Sequence, residues 1–175
     1  AGNVADNLRA LGADVDLITN ANQIKKTRFV DSRTNHMFIR VDEGENDVFS
    51  VALETLESIV WENYDAVIIS DYCKGFIDHF TINYITEKHP ITFLDTKKLI
   101  VDTMNDVKFI KINDVEYEFS SSEMADWWKE KMIITRGSKG AEYKDITYSV
   151  EEVDVRDTSG AGDTFLAGLV YAYIN

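Results

Sequence analysis

The chain has 175 residues, 45% of them hydrophobic, which is enough to bury one sizeable core, and residues 1–175 read as a single domain. Its 18 basic against 31 acidic residues leave a formal net charge of −13; this argues against a general nucleic-acid or anionic-membrane surface, because counterion release needs clustered Lys and Arg. The single cysteine, Cys73, forbids an internal disulfide and fits a reducing cytoplasm, and no apolar run approaches the ~20 residues of a membrane span. The first residues, "AGNVADNLRALG", lack a signal-peptide layout and start in helical periodicity without Met, so a processed chain or a fragment is expected.

In chain order, Val4, Leu8 and Leu11 share one face of an opening helix, and "VDLIT" (15–19) follows as a strand. "TRFVDS" (27–32) and "HMFIRVD" (36–42) pair antiparallel around "RTN". A helix is expected from about Asp47 to Glu62. The apolar runs "DAVIIS" (65–70), "ITFLD" (91–95), "VKFIKI" (107–112) and "MIIT" (132–135) read as fully buried strands, with helical segments around 78–89, 97–104 and 121–131. Strands alternating with helices predict an α/β fold with a doubly wound, largely parallel sheet. After "MIIT" the short segments "AEYK", "ITYSV" and "EEVDV" turn antiparallel, and "FLAGLVYAYI" closes the chain as a helix.

Ligands of open parallel sheets sit outside the carboxyl ends of the strands. Those ends carry Asp71 with "YCKG", Asp95 with "TKK", "NDVE" and "TRGSKG". Each also has a structural reading. Asp71 and Asp95 can cap helices, and Asn113 with Glu116 has the spacing of a reciprocal capping box. "TRGSKG" can be a tight turn, and Lys74, Lys97 and Lys98 can be solvated. Asn3 can be a cap or a buried hydrogen-bonding residue. His36, His79 and His89 show no metal-ligand spacing and read as surface or lid residues, and Cys73 reads as a packed thiol.

"RDTSGAGDTF" (156–165) is the least bland stretch. Asp157, Thr158 or Ser159 can cap the last helix, while Gly160 and Gly162 remove side chains from its first turn, where free amides favour an anion. A carboxylate there, Asp163, repels an anion and makes sense as a proton acceptor beside one. No Gly-Lys-Ser/Thr follows, so the stretch is not a P-loop; it does not follow a first strand either, which disfavours a Rossmann dehydrogenase.

Taken together, "DTSGAGDTF", "NDVEYE", "ITRGSKGA" and "AGNVADNLRALGADV" resemble the ribokinase-like (PfkB) carbohydrate kinases across nearly the whole chain. "RFVDSRTNHMFIRVDE", "ISDYCKG" and "LDTKK" are most similar to the heptose-7-phosphate kinases of lipopolysaccharide-precursor synthesis. The resemblance implies Asp163 as general base toward the γ-phosphate of ATP, with the amides of Gly160, Ala161 and Gly162 as an anion hole. It implies Mg²⁺ held through water by Asn113 and Glu116, a nucleotide against Thr135, Gly137 and Gly140, and a monovalent cation such as K⁺ near Asp157 and Ser159. Asn3 would contact the sugar, and Arg28, Lys74 and Lys97 a sugar phosphate or the transferring group; the strand pair near 27–42 would be a lid. A heptose 7-phosphate would become a 1,7-bisphosphate. Against the family pattern, only "ANQIKK" stands where relatives carry a further helix–strand unit, and both ends look shortened. A sheet edge left bare in this way invites a homodimer. Two alternatives stay open: another carbohydrate or nucleoside kinase, and a catalytically silent sugar-phosphate- or nucleotide-binding remnant.

Overall fold

A computed structural model describes residues 1–22, 24–34, 36–44, 48–120, 126–151 and 158–175. Helix α1 (Gly2–Ala10) opens the chain, and the hairpin β1 (Lys25–Val30) and β2 (Met37–Glu43) stands as its own two-stranded sheet. At its turn the Asp31 carboxylate accepts from the Arg33 amide at 3.1 Å and the Thr34 hydroxyl at 2.8 Å. The main sheet has six strands in chain order: β3 (Val67–Asp71), β4 (Thr92–Thr96), β5 (Phe109–Asn113), β6 (Met132–Thr135), β7 (Ala141–Tyr143) and β8 (Ile146–Tyr148). The first four are parallel and the last two turn antiparallel, as the sequence pattern predicts. Helices α2 (Leu53–Glu57), α3 (His79–Lys88), α4 (Asp114–Ser120) and α5 (Ala161–Ile174) complete the fold.

The continuous apolar runs follow from cover on both faces. On β4, adjacent Phe93 and Leu94 are both fully buried but enter different cores. Leu94 packs with Ile82 and Ile85 of α3 and with Ile110, Ile112 and Ile134 of the neighbouring strands. Phe93 packs with Val4 and Leu8 of α1 and with Leu166, Ala167 and Val170 of α5. The terminal helices thus supply the second face of the sheet, and that face brings Asn3 and Asp163 together.

Several expectations are corrected. "VDLIT" forms no strand: Val15 is half-buried beside α1, but Leu17 and Ile18 are exposed and no described strand pairs with the segment. Leu11 is likewise exposed rather than on the buried face. The helix expected to Glu62 shrinks to α2 and a 3₁₀ turn at Trp61–Asn63, because the Val51 amide donates across the chain to the Phe76 carbonyl instead of starting a helix; Asp47 lies outside the described residues. Around 97–104 only a 3₁₀ turn at Asp102–Met104 forms. Of 121–131, residues 126–130 form a 3₁₀ turn and 121–125 are outside the description, while the neighbouring helix, α4, starts earlier at Asp114. Of "EEVDV", residues 152–155 are also outside it. His89 is buried, its ring nitrogens 3.2 Å from the Ile91 carbonyl and 2.8 Å from that of Tyr64. Cys73 is exposed at a positive φ of 55°.

Asp78 caps α3, accepting from the Thr81 amide and hydroxyl at 2.7 Å each, and these bonds hold its carboxyl below the ordinary value of 3.8. Asp78→Ala is expected to cost about 1 kcal/mol in urea unfolding at pH 7. The folded-state value is the lower one, so this contribution is present above pH ~4 and is lost as pH falls below it. An unchanged unfolding midpoint at pH 7 would show that the cap contributes nothing.

Candidate active site

The strand register levels the carboxyl ends of β3 to β6. Ser70 lies opposite Asp95, Asp95 opposite Lys111, and Asn113 opposite Thr135. Onto this rim α5 points its N-terminus. Its cap is Gly160, in the left-handed region at φ 82°, and no side chain caps it; Asp157 lies outside the described residues. The Ala161 amide, one of the three expected to form an anion hole, already donates to the Thr158 carbonyl at 3.1 Å.

Asp163, in the first turn of α5, is held from two sides. Asn3 Nδ2 of α1 donates to Oδ2 at 2.9 Å, and Tyr72 Oη donates to Oδ1 at 2.8 Å. Burial raises the Tyr72 hydroxyl well above its ordinary pKa, helped by the hydrogen bond to Asp163 and the charges of Asp163 and Asp95, so it stays a donor across the physiological range. Lys26 and Lys97 place ammonium groups 5.7 Å and 5.6 Å from the Tyr72 ring centroid. Sequence reasoning passed over Tyr72. The available signal was its place one residue beyond a buried strand, on the rim that carries Asp95.

Asp71 serves that placement. Its carboxylate accepts from Thr96 Oγ1 at 2.9 Å and from the Cys73 amide at 2.9 Å, and it pairs with Lys98, which also donates to the Ile77 carbonyl at 2.8 Å. The aspartate is thus occupied in fixing the turn after β3. Lys98 is largely buried rather than solvated.

A cleft of about 1210 Å³ opens beside β3, and Asp163, Gly160, Tyr72, Arg28, Lys74 and Lys26 are among its lining residues. Arg28 and Lys74 therefore share one space with Asp163, and Lys97 approaches through the ring of Tyr72. Ser159 also lines the cleft.

On the far side of the rim, Asn113 and Glu116 form a reciprocal capping box. The Asn113 amide donates to Glu116 Oε2 at 2.8 Å and the Glu116 amide to Asn113 Oδ1 at 3.0 Å. Each side chain keeps polar capacity beyond those bonds, which suits a water-wrapped cation better than a direct cage. Among the described residues no three or more His, Cys, Asp or Glu gather to hold a metal ion. Thr135 donates to the Ile112 carbonyl at 3.2 Å, and Gly137 and Gly140 follow at φ 56° and 91°.

Gly140 has no substitute, since a Cβ there would lie 1.9 Å from the Tyr148 carbonyl oxygen. Gly140→Ala is expected to destabilise by on the order of 3 kcal/mol in denaturant unfolding. A loss below the measurement error would show that the β7–β8 edge does not press on this turn.

The description "pfkB family carbohydrate kinase" matches residues 1–175. The bifunctional protein HldE of a Nitratiruptor species is 27% identical over 221 aligned positions, covering 98% of this chain and 47% of that protein. A probable fructokinase-2 of Arabidopsis thaliana is 33% identical over 90 residues, covering 43% of this chain and 27% of its own length. The chain spans less than half the length of the curated relatives it matches. A Burkholderia thailandensis nucleoside kinase solved in complex with inosine superposes with a TM-score of 0.70 at 16% identity, over 98% of this chain and 70% of that one, and it shares the fold.

Proposed function

The chain belongs to the pfkB family of carbohydrate kinases, and from that premise we propose that it transfers the γ-phosphoryl group of ATP to a hydroxyl of a phosphorylated sugar, with Asp163 as the base. The observation that carries this reading is the Asp163 carboxylate, set in the first turn of α5, facing the cleft, and fixed by Asn3 and Tyr72. An oxygen so held keeps a lone pair for an incoming hydroxyl proton, and its partners spare it reorganisation during the step. When bound, ATP would supply the phosphoryl group and its Mg²⁺ the positive charge that offsets the phosphate oxygens. Asn113 and Glu116 would hold the magnesium through water. The amides of Gly160, Ala161 and Gly162 would face phosphoryl oxygens, and Thr135, Gly137 and Gly140 would lie along the nucleotide. A monovalent cation such as K⁺ is assigned to the neighbourhood of Ser159 and Asp157.

Lys26, Arg28 and Lys74 line the cleft, which suits an acceptor that already carries a phosphate. Heptose 7-phosphate giving a 1,7-bisphosphate is the substrate we assign. Its support is the "ISDYCKG" and "LDTKK" stretches together with the distant likeness to HldE. A cytoplasmic location fits ATP as donor, and no helix of the described residues is long and apolar enough to cross a membrane. A homodimer would cover the outer edge of β3, which among the described strands pairs only with β4.

The test is ADP release from ATP and Mg²⁺ across a panel of sugar phosphates and nucleosides. Turnover is expected with a heptose 7-phosphate, and Asp163→Asn is expected to lower kcat by about 10²–10⁴-fold while ligand binding persists. Turnover only with a nucleoside or an unphosphorylated sugar would overturn the substrate assignment. A folded chain with no turnover on any acceptor, but with ligand binding retained in both forms, would establish a silent binding domain instead.

A further inference from the structure

The capping box and the glycine turn lie on different elements, and one side chain ties them together. Arg136 stands between Thr135 and Gly137, and its backbone closes the turn: its amide donates to the Gly140 carbonyl at 2.8 Å, and its carbonyl accepts from the Lys139 amide at 3.1 Å. Its side chain leaves the turn and crosses to α4. There Nη1 donates to Asp114 Oδ1 at 2.6 Å, and the guanidinium carbon lies 5.6 Å from the centroid of the Tyr117 ring. Nε donates to Glu142 Oε2 on β7 at 2.8 Å, and Nη2 lies 2.7 Å from the same oxygen. Asp114 directly follows Asn113 and shares the first turn of α4 with Glu116. One guanidinium thus links the capping box to the strand that follows the glycine turn.

Stability alone does not account for this arrangement. The Asp114 side chain is 46% exposed and those of Arg136 and Glu142 27% each, and ion pairs this open to water add little to folding. A planar fork does something a lone pair of charges cannot, since it fixes both distance and angle between the groups it joins. The groups joined here are Asn113 and Glu116 on one side and Thr135, Gly137 and Gly140 on the other. We infer that Arg136 is a positioning residue: it sets the spacing between the side chains proposed to hold water-wrapped magnesium and the turn proposed to lie along the nucleotide, so that both reach one magnesium–nucleotide complex together. The inference rests on the kinase reading for the identity of that ligand. It needs no contact between Arg136 and the ligand, because the guanidinium acts through Asp114 and Glu142.

Arg136→Lys tests this directly, because it keeps the charge and loses the fork. MgADP binding by calorimetry, its magnesium dependence, thermal unfolding and, with ATP and an acceptor, KM for each substrate are measured on the whole chain. The variant is expected to unfold within a few degrees of the starting protein yet to bind MgADP about fivefold or more weakly. It is also expected to need more magnesium for half-maximal binding, with the acceptor KM unchanged. Asp114→Asn cuts only the link to α4, and it carries the test alone if Arg136→Lys does not fold. It is expected to weaken MgADP binding too, and the double variant is expected to lose less than the product of the two single losses. A purely structural ion pair predicts a lower unfolding temperature with unchanged MgADP affinity, which would overturn the inference, as would single losses that multiply. A starting protein that binds no MgADP overturns it as well. If MgADP binding depends on Arg136 while no acceptor is turned over, the inference stands and the phosphoryl-transfer reading fails. If acceptors are turned over and Arg136→Lys binds MgADP with full affinity, the inference alone fails.

Discussion

The Asp163 carboxylate joins three parts of the chain that are far apart in sequence. Asn3 reaches it from α1 and Tyr72 from the end of β3, and Asp163 itself rides on α5. Those two hydrogen bonds require α1 and α5 to pack side by side on one face of the sheet and require the turn after β3 to hold its shape. The first condition is met by Val4 and Leu8 against Leu166, Ala167 and Val170, with Phe93 beneath them. The second is met by Asp71, whose carboxylate gathers Thr96, Lys98 and the Cys73 amide beneath that turn. Packing on one face and a buried ion pair at the rim thus converge on one oxygen pair.

Charge at this rim is arranged in depth. The chain carries a formal −13, and Asp95, Glu116 and Asp163 all act on the rim's electrostatics. A phosphate-bearing ligand meets that field only where cations and helix amides outweigh it. On the cleft wall the positive charge comes from Lys26, Arg28 and Lys74, beside Asp14, Asp16, Asp65, Asp71 and Asp163. Gly162 lies at the junction of α5 and this rim, since a Cβ there would lie 2.9 Å from Lys111 Nζ.

Much of the fold could be read from the residues because its strands are buried on both faces. "ITFL", "FIKI" and "MIIT" admit no amphipathic alternative of that length, and the antiparallel turn after "MIIT" follows from the short segments there. "VDLIT" is also rich in strand-forming residues, yet a strand needs a hydrogen-bonded neighbour, and none of the described strands pairs with it. Helix lengths were less legible, since Val51 and the residues after Ala52 answer to cross-chain contacts that spacing does not encode. At the site, Asp163 with Gly160 and Gly162, and the reciprocal Asn113–Glu116 spacing, were visible because short-range geometry defines them. Tyr72 was not. It sits in a turn, and only its close approach to Asp163 shows what it touches.

If Asp163 is the base proposed above, its carboxylate acts from a position fixed by Asn3 and Tyr72, and Tyr72→Phe removes half of that restraint with the smallest change. It removes one hydroxyl from a ring that otherwise keeps its packing and its neighbouring ammonium groups. Steady-state kinetics of phosphoryl transfer with thermal unfolding in parallel is the measurement. At least a tenfold loss of kcat is expected, with KM for ATP and acceptor unchanged and the unfolding temperature preserved. Full kcat in a folded Tyr72→Phe protein would contradict it, and would mean that the carboxylate needs no such restraint.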